Sequence, residues 1–188
     1  MNFRNRVIAG LGATALLAST VLGAVAADTA SEPVSVKVNR IDGGTVSVQI
    51  AESQQFSDVV YSLNDVVPST GKLLVTVSDT RGTATGWDVT LKATDFIKGD
   101  QTVGENIPVG QFSLTADATN RTSGFGEIPT SKHDVAPVGA SSSALWEADS
   151  DEGDGVFTLE LGGTLNVPAG TLVDTYTSTV TVDVAAAP

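Results

Sequence analysis

From residue 87 the chain reads Trp-Asp-Val-Thr-Leu-Lys-Ala, so Trp87, Val89, Leu91 and Ala93 fall on one side of an extended backbone and Asp88, Thr90 and Lys92 on the other. A period of two marks a strand with one buried face. The same alternation places Val34, Val36 and Val38 on one strand and Val46, Val48 and Ile50 on the next, with Asp42-Gly43-Gly44 as the turn of a hairpin-like start. Further runs cover 59–63, 73–77, 112–116, 157–161 and 176–184. Short alternating runs rich in Val and Thr, broken by Gly, Pro, Asn, Asp and Ser, predict an all-β fold. The expected architecture is an antiparallel β-sandwich or barrel-like domain of about eight short strands.

Two stretches depart from that pattern. Residues 117–156 show no sustained period and are long for a connection inside a compact domain, so an irregular loop, either an insertion or a functional loop, is expected there. At the start, a basic "MNFRNR" precedes a long apolar run that closes on Ala24-Val25-Ala26, the small-x-small pattern of a secretory cleavage site. Residues 1–26 therefore read as a signal peptide and 27–188 as a single domain, with no membrane span expected after cleavage. An uncleaved anchor is the alternative reading of the apolar run.

Charge narrows the range of partners. Of 10 basic residues, Arg4 and Arg6 leave with the leader, so 8 remain against 22 acidic residues, a net charge of −14. That balance argues against a nucleic-acid partner and against attraction to anionic lipid. The chain has no cysteine, which removes disulfide frameworks and thiolate chemistry and leaves stability to the core.

Candidate catalytic chemistry is sparse. His133 is the only histidine, in the loop-like "SKHDVAP", and no serine sits in a nucleophile-elbow context. No carboxylate pair is singled out for glycoside chemistry and aromatic residues are few, so the chain reads as a binding or structural protein and not as an enzyme. Asn120-Arg121-Thr122 matches a glycosylation acceptor but carries no functional weight without the machinery. The densest acidic run, "EADSDEGDG", holds Glu147, Asp149, Asp151, Glu152 and Asp154. It reads as a solvated acidic turn, with Glu147, Asp149, Asp151 and Asp154 as oxygen ligands for calcium in the alternative reading. No other cofactor is implied.

The end of the chain, "LNVPAGTLVDTYTSTVTVDVAAAP", carries a more specific pattern. Tyr176, Val180, Thr181 and Pro188 follow in the order of the terminal signature of the WxL cell-surface domain family, with Val182 where that family has Trp and Val184 where it has Leu. Upstream, Gly86, Trp87, Val89 and Phe96 resemble the family's first W-x-L, with Val for Leu. The resemblance spans roughly Val34 to Pro188, while Trp146 lies too far upstream, in a loop, to replace the missing second tryptophan. It implies a secreted protein retained non-covalently at a Gram-positive-type cell wall or cell surface, bound to peptidoglycan or to a companion surface protein. The motif positions Trp87, Val89, Tyr176, Val182 and Val184 then become the expected ligand-binding residues.

Two readings of Trp87 stand at this point. Its ring fills the core beside Val89 and Leu91, or it stands partly exposed and stacks on a sugar face. A different function class also stands: a subunit of an extracellular fibre or surface array that self-associates when the leader "ADTASEPVSVKV" adds a strand to a neighbour's edge.

Overall fold

The computed structural model describes residues 28–31, 44–51, 55–99 and 106–187. The leader 1–26, the strand through Val34, Val36 and Val38, and Asp42-Gly43 of the expected turn lie outside the described residues. Those that are described form almost entirely β structure. In chain order the strands are β1 (Asp28–Ser31), β2 (Val46–Ile50), β3 (Val67–Asp79), β4 (Trp87–Ala93), β5 (Ile97–Lys98), β6 (Phe112–Ser123), β7 (Ser131–Lys132), β8 (Ser143–Ala148), β9 (Gly155–Val167), β10 (Tyr176–Thr177) and β11 (Val180–Ala186). One sheet has the order β1-β11-β4-β8-β7, a second β2-β3-β9-β6, and β10 pairs with β5 as a separate ribbon. All pairings between strands are antiparallel and neither sheet closes on itself, so the architecture is a sandwich and not a barrel.

The alternation predicts which faces meet. Leu73, Val75 and Val77 of β3 stand opposite Leu161, Leu159 and Phe157 of β9, and all six are buried. They face Trp87, Val89 and Leu91 of β4 and Val182 and Val184 of β11, which belong to the same apolar core. Each such side chain contributes about 1.5–3 kcal/mol on full burial. Without a disulfide, this layer is what balances the conformational entropy of the chain.

Several strands differ from the sequence expectation, each for a physical reason. The segment 117–156 is not one irregular loop: β6 continues through it to Ser123, and β7 and β8 lie within it. β6 is an edge strand whose outer half is mostly exposed, with register shifts after Ala116 and Arg121, so its sequence carries no two-residue apolar period. β8 places the adjacent Leu145 and Trp146 both inside, opposite a register shift between Val89 and Thr90 of β4. Trp146 is therefore a strand residue of the core, not a loop residue. The run 59–63 forms no strand, and the run 176–184 breaks at Ser178 and Thr179, β10 joining β5 while β11 joins β4.

One end of the sandwich is sealed. Asp79, 1% exposed, accepts from the Arg81 main-chain N–H at 2.9 Å and from Nε and Nη2 of its guanidinium at 3.0 and 2.8 Å. The same Nη2 donates to the Gly86 carbonyl at 2.6 Å, which also accepts from the N–H of Ala187 at 3.1 Å. Trp87 then packs edge-to-face on Trp146, with centroids 4.9 Å apart, and its indole N–H donates to the carbonyl of Gly153 at 3.1 Å. Residue 153 must be glycine here: its φ is +77°, and a Cβ would stand 2.5 Å from the indole nitrogen.

Trp87→Phe keeps most of the ring but leaves the buried Gly153 carbonyl without its donor. A loss of about 1–3 kcal/mol is expected, read as a lower urea midpoint at unchanged slope. A midpoint equal to that of the parent would show that the indole bond contributes nothing to stability.

Candidate functional site

At the opposite end the sandwich stays open. β3 ends there at Val67, β9 at Val167 and β4 at Ala93, and between two long connections lies a cleft of about 740 Å³. Residues 55–66 make one wall and residues 168–179 the other.

The floor is the end of the core. Phe112 lies edge-to-face with Phe56 at 5.7 Å and with Phe96 at 5.4 Å, and Leu73, Ile107 and Leu165 complete it. Phe56 is the anchor of the first wall. Gly71 of β3 and Gly163 of β9 are cross-strand partners, and the notch left by their missing side chains receives the Phe56 ring. A Cβ on Gly163 would stand 2.5 Å from the Phe56 Cζ. The main chain follows the ring inward: Ser57 donates to the Thr70 carbonyl at 2.8 Å, its hydroxyl accepts from the Thr70 N–H at 2.9 Å, and the Ser69 hydroxyl donates to the Ser57 carbonyl.

The second wall is built from turns. The Thr171 hydroxyl donates to the Pro168 carbonyl at 2.7 Å, and the Tyr176 hydroxyl donates to the carbonyl of Leu172 at 3.0 Å. The N–H of Gly170 donates to the Ser62 carbonyl at 2.8 Å, a bond that joins one wall to the other. With their backbones held in this way, apolar side chains of the lining are left exposed: Val60 is 84% and Val173 81% exposed, and Tyr61 and Leu172 are exposed as well, as are Leu63 and Val66 nearby in the chain. Clustered exposure of this kind is unusual on a soluble surface and marks a contact region. Asp58, Asp65 and Asp174 also line the cleft, and none of the described lining residues is Lys, Arg or His.

The residues expected from sequence divide between the two ends. Tyr176 lines the cleft. Trp87, Val89, Val182 and Val184 are each 0–1% exposed and lie in the core, so the core reading of Trp87 is the one its burial matches. Glu147, Asp149, Asp151 and Asp154 belong to the sealed end. Glu147 approaches His133 Nε2 at 3.5 Å and the Ser131 hydroxyl at 3.4 Å, while Asp151 sits in a turn at φ +76° with its N–H on the Ala84 carbonyl. Among the described residues no three His, Cys, Asp or Glu side chains gather as metal ligands. His133 is an exposed residue beside β7.

Sequence reasoning missed the cleft because 59–63 passes for a strand. The available signal was adjacency: Val59-Val60 and Leu172-Val173 are neighbouring apolar pairs, and an extended chain turns one member of such a pair away from the core.

The chain matches the family model described as "WxL domain surface cell wall-binding" over residues 25–188. No curated protein and no solved structure shows significant similarity to it.

Gly163→Ala puts a methyl where the Phe56 ring lies. Expulsion of that ring is expected to free residues 55–66 for cleavage in limited proteolysis and to cost about 1–3 kcal/mol. Cleavage no faster than in the parent would show that the notch does not hold this wall.

Proposed function

Because the chain belongs to the WxL domain family of cell-wall-binding surface proteins, and so is a protein of the cell wall or cell surface, we propose that it is held there non-covalently by peptidoglycan seated in the cleft. The observation that carries this reading is the cleft itself. Its volume of about 740 Å³ falls in the range of sites that enclose a small ligand, it has an apolar floor, and its rim exposes apolar side chains that folding alone leaves unexplained.

The role is one of binding. The wall-binding family suggests it, and the cleft lining contains hydroxyls, carboxylates and apolar groups but neither histidine nor cysteine among the described residues. Among those residues, too, no helix is long and apolar enough to cross a membrane. Retention on a Gram-positive-type wall would follow from contact with the insoluble polymer.

Co-sedimentation of the purified protein with insoluble peptidoglycan tests the proposal. Tyr61→Ala combined with Val173→Ser at the rim is expected to weaken binding by about tenfold or more, while Phe125→Ser, a fully exposed residue near the sealed end, leaves it unchanged. Equal binding by the rim variant and the parent would move the site away from the cleft. No binding by the parent, with capture by a companion surface protein instead, would replace peptidoglycan as the ligand.

A second reading has one observation in its favour. β1, from the N-terminal leader, pairs with the edge of β11 over four residues from Asp28↔Val184 to Ser31↔Thr181, so that edge accepts an added strand. If strands are exchanged between copies, concentration-dependent polymers are expected in sedimentation velocity and are lost on deleting residues 27–38. A monomer at every concentration would dispose of the array reading.

A further inference from the structure

The cleft has a charge of one sign, and this narrows what it can hold. Its described lining carries the carboxylates of Asp58, Asp65 and Asp174 and no basic side chain. Two of these are held in place locally: Asp65 accepts from the Ser62 hydroxyl at 3.3 Å, and Oδ1 of Asp174 accepts from the N–H of Thr175 at 2.7 Å. The same lining includes the exposed Val60, Leu172 and Val173. An apolar wall with carboxylates along it complements a ligand that carries a cation on an aliphatic stem.

From this complementarity we infer that the cleft recognises the peptide part of peptidoglycan, through the free amine of its diamino acid, and not the glycan strand. The inference rests on the proposed wall-binding role of the cleft. Stem peptides combine methyl-bearing alanines with an amine on an aliphatic chain, which matches apolar walls edged by acid. Glycan asks for more open aromatic surface than the cleft presents. Sugar faces stack on open aromatic rings, and here Phe112 is 1% and Phe96 8% exposed, with the Phe56 and Phe96 rings set edge-to-face on Phe112. Among the described lining aromatics only Tyr61 stands exposed, and a single ring is a small platform for a glycan strand. Anionic wall polymers meet a lining of their own sign.

Acetylation tests the inference, because acetic anhydride caps the amines of purified peptidoglycan and leaves its glycan strands intact. The purified protein is expected to bind capped wall about tenfold or more weakly than native wall, and binding to native wall is expected to weaken as salt rises. In a calorimetric titration, a synthetic lysine-containing stem peptide should bind and its Nε-acetyl form should not. Asp58→Asn combined with Asp65→Asn should remove the difference between native and capped wall without lowering the urea midpoint.

Equal binding to native and capped wall, with the Tyr61→Ala, Val173→Ser variant still impaired, would overturn the amine as the recognised group while leaving the cleft as the wall-binding site. If that rim variant binds native wall as the parent does, the cleft reading falls and this inference falls with it. An unaltered preference for native wall in the double Asp→Asn variant would overturn the assignment of the amine to these carboxylates.

Discussion

The pairing of β3 with β9 is the constraint on which the rest of the molecule depends. Thirteen consecutive residue pairs, from Val67↔Val167 to Asp79↔Gly155, run without a register shift through the second sheet. A slip of one residue would leave Leu73, Val75 and Val77 on one face of the sheet and Phe157, Leu159 and Leu161 on the other. The uninterrupted register therefore fixes the apolar face, and with it the partner sheet that must cover it. It also fixes two ends some thirteen residues apart, each of which meets a different chemical demand.

At the Asp79 end the demand is closure. A buried carboxylate needs a partner, and Arg81 supplies one while also reaching the Gly86 carbonyl, so one guanidinium ties a strand end to the residue before Trp87. Trp87 extends the tie to Gly153 and Trp146 extends it to the Pro129 carbonyl. Indoles suit such a place because each brings a large apolar surface and a single donor. At the Val67 end no buried carboxylate–guanidinium pair of this kind is found among the described residues. The glycine notch draws in Phe56 and the remaining apolar groups of both walls are left at the surface.

How much of this could be read from the sequence follows from the same contrast. Strands with one face inside and one outside keep a strict alternation, so β2 and β4 lie where the pattern puts them, and the all-β sandwich follows. Alternation fails where a strand is polar on both faces, as in the outer half of β6, or where a bulge turns two neighbours inward, as at Leu145 and Trp146. The first W-x-L-like position was legible as a motif, but a motif does not say whether a ring faces core or ligand. Burial decides that, and it depends on strands far away in sequence. The cleft was hidden for a related reason: its walls are turns held by main-chain hydrogen bonds such as Gly170 to Ser62, which leave no mark in side-chain pattern.

The register at the margin of the first sheet has a mechanical side. Asp28 pairs with Val184, and the N–H of Ala187 is bonded to the Gly86 carbonyl, so the described chain ends both lie at the pole away from the cleft. A pull on the Ala187 end against a load held at the cleft end would travel lengthwise along β11 and β4. The seven residue pairs that join those two strands would then be strained together in shear, not opened one after another like a zip. Shear is the direction in which an antiparallel ladder resists extension best, because its bonds must fail as a group.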